Sequence, residues 1–337
     1  MIHDAIEAVV SRHSLTMEEA QVTMNEIMEG QVTPTQLGAF LAGLRAKGET
    51  PQEIAGMALT MRQKSLRVDV DGSLVDTCGT GGDGKDTFNI STASAFVAAG
   101  AGLKVAKHGN RAASSSCGSA DVLEALGVKI DLSEDGVRKC IHEIGIGFMF
   151  AQSFHPAMKY AAPVRRELGI RTVFNILGPL TNPAGARSQV IGVATKELGN
   201  TMAEVLRLLG SEHAMVVHGK DGLDELTISG ASYVWELYKD SIRQYSITPE
   251  DEDLTPSSLD TIKGGSPADN AATLRRTLQG EIGPIRDVVL LNTAAALIVG
   301  NVATDFQEGV NKAAESIDSG SALSKLNSLV QLSRKIR

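Results

Sequence analysis

Along residues 1–66 the apolar positions fall at helical spacing: Ile2, Ile6, Val9 and Val10 form one stripe, and Leu37, Phe40, Leu41 and Leu44 form another. Three helix starts are marked by a threonine followed three residues later by Glu or Gln: Thr16 with Glu19, Thr33 with Gln36, and Thr50 with Glu53. Pro34 and Pro51 stand at the first helical position of the last two. These features predict a small helical bundle. From Leu74 the pattern changes. Short apolar runs at 74–75, 103–106, 128–130, 148–150, 190–193 and 214–217 alternate with helical stretches such as 91–101, 119–126 and 198–209. Strand–helix alternation predicts a parallel sheet with helices on its faces, and ligands in such sheets bind beyond the carboxyl ends of the strands. Past about residue 283 helical periodicity returns over 287–299, 305–317 and 322–332. The expected fold class is α/β: a small N-terminal helical bundle domain plus a larger domain with a central, mostly parallel sheet flanked by helices.

Composition narrows the possible functions. A chain of 337 residues with 42% hydrophobic content can bury two cores. A net charge of −8 and a pI near 5.5 lack the basic footprint of a non-specific nucleic-acid binder, so no nucleic-acid partner is expected. No apolar run approaches the length of a membrane span, and Met1-Ile2-His3-Asp4 opens neither a basic nor an apolar leader segment. The expectation is a cytoplasmic protein with no membrane partner. Cys78, Cys117 and Cys140 are odd in number and form no CxxC pair, which points away from disulfides and zinc.

Candidate chemistry concentrates at strand ends. Asp76-Thr-Cys78-Gly79-Thr-Gly81-Gly82-Asp83-Gly84 ends a strand as a glycine turn, and Thr87, Asn89, Ser91 and Thr92 follow at the start of a helix. Glycines let backbone N–H groups approach an anion, and a helix N-terminus adds partial positive charge. The turn formally satisfies GxGxxG, but a dinucleotide site wants an acidic residue about 20 positions onward, and that region is basic, 103–107 reading Leu-Lys-Val-Ala-Lys. It nearly satisfies the P-loop as well, but Asp86 stands where Ser or Thr would hold Mg²⁺. Ser91 and Thr92 can also serve simply as helix caps. After the next strand, Lys107-His108-Gly109-Asn110-Arg111 puts three potential cations within five residues, followed by small residues able to fold over a ligand. Lysine, arginine, hydroxyls and backbone N–H groups together suit a polyphosphate. His108 reads as a packing or hydrogen-bonding residue rather than a base. Gly222-Leu223-Asp224-Glu225 follows a further strand, and adjacent carboxylates suit a hard divalent cation bridging to phosphate. Arg165, on a helix expected to begin near His155-Pro156, is able to clamp a carboxylate in bidentate fashion or to pair with Glu167 or Glu225.

With these segments in order, the chain closely resembles the anthranilate phosphoribosyltransferases, members of the nucleoside phosphorylase-like phosphoribosyltransferase group. The resemblance runs from the helical start to about Leu290 and includes 119–127, His155-Pro156-Ala157-Met158-Lys159 and 171–183. It implies transfer of the phosphoribosyl group of phosphoribosyl pyrophosphate (PRPP) to the amine of anthranilate, giving N-(5-phosphoribosyl)anthranilate and pyrophosphate in tryptophan biosynthesis. By resemblance, PRPP meets Gly79, Gly82, Asp83, Thr87, Asn89, Ile90, Ser91, Thr92, Lys107, His108, Gly109, Asn110, Arg111, Ala112, Ala113, Ser114, Ser115 and Ser119. Anthranilate meets Gly79, Asn110 and Arg165, and Ser91, Asp224 and Glu225 hold two Mg²⁺ ions. No residue is implied as acid, base or nucleophile, and Lys107 acts electrostatically. The resemblance also implies a homodimer through the helical domain. That domain comprises 1–66 and takes back about 166–185; the PRPP-binding domain comprises 67–165 and 186–337. The alternatives are a pyrimidine nucleoside phosphorylase-like enzyme and a non-catalytic nucleic-acid-binding relative.

Overall fold

A computed structural model describes residues 1–112 and 116–336. Four helices open the chain: α1 (Ile2–Val10), α2 (Met17–Met28), α3 (Pro34–Lys47) and α4 (Pro51–Lys64). The three threonine starts each form a reciprocal capping box, Thr16 with Glu19, Thr33 with Gln36 and Thr50 with Glu53. The alternating segment follows as β1 (Val75–Gly79), α5 (Ile90–Gly100), β2 (Val105–Gly109), α6 (Ser119–Ala125), α7 (Glu134–Ile144) and β3 (Ile146–Phe150). A linking region holds α8 (Ala151–Phe154), a 3₁₀ turn (Pro156–Tyr160), α9 (Ala162–Leu168) and α10 (Phe174–Leu177). Then come β4 (Ser188–Gly192), α11 (Glu197–Leu208), β5 (His213–Gly219), β6 (Ser232–Tyr238) and β7 (Ser241–Ile247). Helices α12 (Pro267–Leu278), α13 (Pro284–Val299), α14 (Phe306–Asp318) and α15 (Ser321–Lys335) close the chain.

Among the described residues seven strands lie in the order β3-β2-β1-β4-β5-β6-β7. The first five pair in parallel, and β6 and β7 add antiparallel to β5. Successive strands run outward from β1 on one side and from β4 on the other, so the order reverses between these two neighbours. A crevice opens at such a reversal, beyond the carboxyl ends of the strands. Alternation along the strands divides the core. Val190, Met215 and Val217 join one cluster with α5 and α13, while Ile191, Ala214 and Val216 face a second cluster. That second cluster also holds Phe40, Leu44, Ile54 and Met57 from the opening helices, with Val173, Phe174 and Leu177. No helix among the described residues is long and apolar enough to cross a membrane.

Two expectations about elements are corrected. Residues 128–130 form no strand: Val128 N donates to Leu123 O at the end of α6, and Lys129 N donates to Ser333 Oγ, leaving no ladder to join. Arg165 lies on α9, separate from the 3₁₀ turn that begins at Pro156. The β6–β7 hairpin went unpredicted because its turn residues, Lys239 (φ 48°) and Asp240 (φ 65°), take left-handed conformations without a glycine to announce them.

Glu53 is the buried hub of the helical domain. Its carboxylate accepts from Leu15 N at 2.9 Å, Thr50 N at 2.8 Å, Thr50 Oγ1 at 2.9 Å and Lys47 Nζ at 2.9 Å, and it is fully buried. Glu53→Ala removes the counter-charge of Lys47, whose ammonium keeps only Gly48 O and Ser14 Oγ, and leaves the N–H groups of Leu15 and Thr50 without an acceptor, so urea unfolding should show a loss of about 3 kcal/mol. The exposed cap variant Thr16→Ala should lose only about 1 kcal/mol. Equal losses would show that burial adds nothing to the Glu53 hub.

Candidate active site

Strand β1 delivers the chain into a turn that only glycine accommodates. Gly81, Gly82 and Gly84 have φ of +67°, +76° and +68°. At two strand ends the glycine requirement is one of space. A Cβ on Gly79 would meet Asp224 Oδ2 at 2.4 Å, and one on Gly192 would meet the Asp224 carbonyl oxygen at 1.5 Å. The acidic turn therefore seats directly on the ends of β1 and β4. Gly81 N donates to Asp224 Oδ2 at 2.7 Å, and Asp224 N to Asp83 Oδ2 at 3.4 Å. Burial, then mutual repulsion with Glu225 and Asp83, holds the Asp224 carboxyl well above the ordinary range. Burial also raises Glu225, against the pull of Lys107 and of the Ser91 N–H and hydroxyl.

This is a pocket of negative charge in want of a cation. Among the described residues no three His, Cys, Asp or Glu side chains form a metal site unaided. A hard cation at Asp224 and Glu225 would need further oxygens, which the Ser91 hydroxyl and a phosphorylated ligand are able to supply, so the donor set fits Mg²⁺ bound together with its ligand.

Two further residues set the acidic turn in place, and neither stood out in the sequence. Asn292 on α13 accepts from Leu226 N at 3.0 Å and donates to Leu226 O at 2.9 Å, pinning the residue after Glu225. Asp221 Oδ2 accepts from Thr227 Oγ1 and Ser229 Oγ, both at 2.5 Å, closing the loop from below. A buried amide and a local carboxylate look unremarkable in sequence because their partners are defined only by folding.

The start of α5 faces the same crevice. Its N-cap residue Asn89 makes no capping bond; its amide donates to Cys117 O at 3.0 Å and accepts from Asn270 Nδ2 at 2.9 Å. Helix-start N–H groups left uncapped by the side chain suit an anion. Thr87 pairs with Lys263 across an isolated bridge, and Phe88 N donates to Ile262 O at 2.9 Å, fixing the approach to the helix. The Thr92 hydroxyl is buried without a partner among the described residues. Thr77 Oγ1 holds Ser91 O at 3.0 Å.

Lys107 lies beneath this surface rather than on a solvated loop. It is 3% exposed and its ammonium donates to Thr77 O at 2.6 Å and to Ser91 Oγ at 3.4 Å. Burial lowers its pKa, and Asp76 opposes that most strongly. Burial raises Asp76 to about 6, although Lys107, Asn182 and the His108 N–H all favour its charge. Asn182 Nδ2 bridges Asp76 Oδ2 at 2.7 Å and Ala106 O at 2.8 Å.

The three potential cations do not stand together on a loop: Lys107 and His108 lie within β2 and only Arg111 follows it, while His108 packs as the sequence suggested. His108 is buried beside His155, ring centroids 5.1 Å apart, and desolvation depresses it to about 3 and His155 to about 4. His108 is therefore a neutral packing residue. Arg111 is engaged by Asp121 at 3.0 Å and by Glu124, Nη2 to Oε1, at 2.9 Å. Asp121 Oδ2 also receives Ala112 N and Gly118 N at 2.9 Å, folding the loop onto α6. Ser119 Oγ donates to Asn110 O at 3.2 Å, across the space that a Cβ on Gly109 would fill. Ala113, Ser114 and Ser115 lie outside the described residues.

Arg165 is half-buried, with its guanidinium 5.1 Å from the centre of the Phe174 ring. Among the described residues it pairs with neither Glu167 nor Glu225, and burial lowers its pKa. Asn110 is exposed, and its Oδ1 accepts from Arg111 N at 2.8 Å.

Comparison with known proteins matches two family models: a glycosyl transferase family helical bundle domain over residues 3–65, and a glycosyl transferase family α/β domain over residues 71–323. An anthranilate phosphoribosyltransferase of Chloroflexus aurantiacus is 58% identical over 335 residues, covering 99% of each chain. The crystal structure of the anthranilate phosphoribosyltransferase of Thermus thermophilus matches with a TM-score of 0.94 at 46% identity, over 98% of this chain and 99% of that one. A solved structure of the anthranilate phosphoribosyltransferase from Saccharomyces cerevisiae in complex with PRPP and Mg matches with a TM-score of 0.92 at 30% identity, over 99% of this chain and 98% of that one.

The buried histidines make stability sensitive to acid. A histidine whose native pKa lies below its unfolded value of about 6.5 binds its proton more readily when unfolded, so stability is full above 6.5 and falls as pH drops. Replacing one such residue, as His155→Phe, should leave the chain losing about 2 kcal/mol less between pH 7.5 and pH 5 than the parent loses. Urea unfolding at the two pH values measures the difference; parallel losses would mean that His155 titrates normally.

Proposed function

The chain belongs to the anthranilate phosphoribosyltransferase family, and on that premise we propose that it transfers the phosphoribosyl group of PRPP to the amine of anthranilate, releasing pyrophosphate, in tryptophan biosynthesis. The observation that carries this reading is the meeting of the glycine turn, the uncapped start of α5 and the acidic pair of half-buried Asp224 and buried Glu225, beside a buried lysine.

Pyrophosphate binds the backbone of Gly79, Gly82 and Asp83, with Thr87 and residues 89–92, and residues 107–115 with Ser119 complete the PRPP site. Asn110 and Gly79 border the anthranilate site, and Arg165 receives the anthranilate carboxylate. Ser91, Asp224 and Glu225 would hold two Mg²⁺ ions, which neutralise charge on the pyrophosphate when bound. The anthranilate nitrogen attacks C1 of the ribose while the bond from C1 to pyrophosphate oxygen breaks, the nitrogen then releases one proton to solvent, and the developing negative charge on the pyrophosphate is met by fixed N–H groups and by Lys107. Orientation of the two substrates supplies much of the remaining acceleration. No side chain is required as nucleophile; His108 is buried and neutral.

We further infer that the helical domain comprises 1–66 with about 166–185, supported by the hydrophobic cluster that Phe40 and Ile54 share with Val173 and Leu177. Val10 and Val22 leave apolar surface on α1 and α2, 63% and 42% exposed, consistent with a homodimer through this domain. The reading places the enzyme in the cytoplasm.

Purified protein should consume anthranilate, followed by its fluorescence, only with PRPP and a divalent cation; undiminished turnover in excess EDTA would sink the metal assignment. Arg165→Ala should raise KM for anthranilate roughly ten- to a hundredfold, the value of a charged hydrogen bond, and KM for PRPP far less. Matched losses for both substrates would make Arg165 structural. Sedimentation at micromolar concentration should find a dimer, and a monomer alone would overturn the assembly.

A further inference from the structure

Gly82 and Arg171 are 89 positions apart in the chain and are hydrogen-bonded to each other. The Arg171 guanidinium donates from Nη1 to Gly82 O at 2.9 Å and from Nη2 to Gly81 O at 3.1 Å. A Cβ on Gly82 would stand 1.8 Å from Nη1, so the glycine makes room for a cation of the protein itself. Among the described residues Arg171 has no carboxylate partner, although it is exposed. Its planar fork instead spans two successive carbonyls.

From this we infer that Arg171 is a positioning residue: it grips the carbonyl side of the glycine turn and so aims the opposite, N–H side at the pyrophosphate of PRPP. The inference rests on the functional reading above. Its physical basis is the planar trans peptide, in which C=O and N–H point in opposite directions. Fixing Gly81 O fixes the N–H of Gly82, and fixing Gly82 O fixes the N–H of Asp83. Neither N–H has an acceptor among the described residues, whereas the preceding one, on Gly81, already points to Asp224 Oδ2. Both glycines have positive φ, where the backbone has shallow preferences and would otherwise wander. The grip removes that freedom before the ligand arrives, which is the source of its effect on affinity. Arg171 is itself held, because Thr172 N donates to Asn175 Oδ1 at 2.9 Å and the next residue, Val173, is buried in the cluster of the helical domain.

Steady-state kinetics at saturating Mg²⁺ test the assignment with Arg171→Ala, Arg171→Lys, Gly82→Ala and the double variant Arg171→Ala/Gly82→Ala. Arg171→Ala should raise KM for PRPP about tenfold, leave KM for anthranilate within about twofold, and leave the melting temperature unchanged. Arg171→Lys, with one ammonium for two carbonyls, should recover part of the loss. Gly82→Ala displaces the guanidinium, so the double variant should be no worse than the poorer single variant. Losses that multiply in the double variant would mean that Arg171 acts elsewhere, for instance directly on the ligand, and would overturn the inference. So would an Arg171→Ala enzyme with the parental KM for PRPP. A parent that turns over PRPP alongside unaffected variants brings down the inference alone; a parent with no PRPP turnover brings down the functional reading with it.

Discussion

A buried ammonium organises the centre of this molecule. Lys107 Nζ sits where β1, β2 and the start of α5 converge, bonded to Thr77 O and Ser91 Oγ. A lone charge at such depth is strongly unfavourable unless it is matched. The negative charges of Asp76 and Glu225 favour its charged form. Asp76 in turn is tied to Asn182 and to the backbone of β2. The strand ends, the helix start and the acidic turn are therefore set relative to one another by one charge and its partners. The excess of carboxylate above that charge creates the demand for a cation, and the same arrangement thus serves folding and chemistry together.

Glycine at the crevice answers three separate needs. Gly79 and Gly192 yield space to the acidic turn, Gly82 yields space to Arg171, and Gly81 and Gly84 adopt left-handed backbone over open space. A sequence motif merges these into one string. Only folding separates a glycine needed for its conformation from one needed because another chain segment lies against it.

Much of this architecture was legible in the chain because local rules agree with the fold. The three threonine caps announce α2, α3 and α4, and the alternating runs announce β1 to β5 and their neighbours. The candidate site was legible where function is carried by backbone and by adjacent residues, as in the glycine turn and Asp224-Glu225. It was illegible where the partner is distant. The charge of Arg111 is spent on Asp121 and Glu124, and burial renders His108 neutral, so the apparent cation cluster after β2 dissolves on folding. Asn292, Asp221 and Arg171 carry no local signature, since each is defined by a bond to a turn elsewhere. The β6–β7 hairpin was hidden for the opposite reason: its turn is local but uses Lys239 and Asp240 in a conformation usually given to glycine or asparagine.

That hairpin governs how the sheet ends. Strand β7 is the outermost, and Ser241, Arg243, Gln244 and Ser246 leave it largely polar and open to water, with Arg243 drawn back onto Glu236. At the other margin β3 is buried along its length. An open margin of unpaired backbone is a template on which strands of other molecules add, and a charged, polar strand or a covered one denies them purchase. The sheet is thus terminated at both sides, and a crowded population of these chains is guarded against fibrous growth by the residues at its rim.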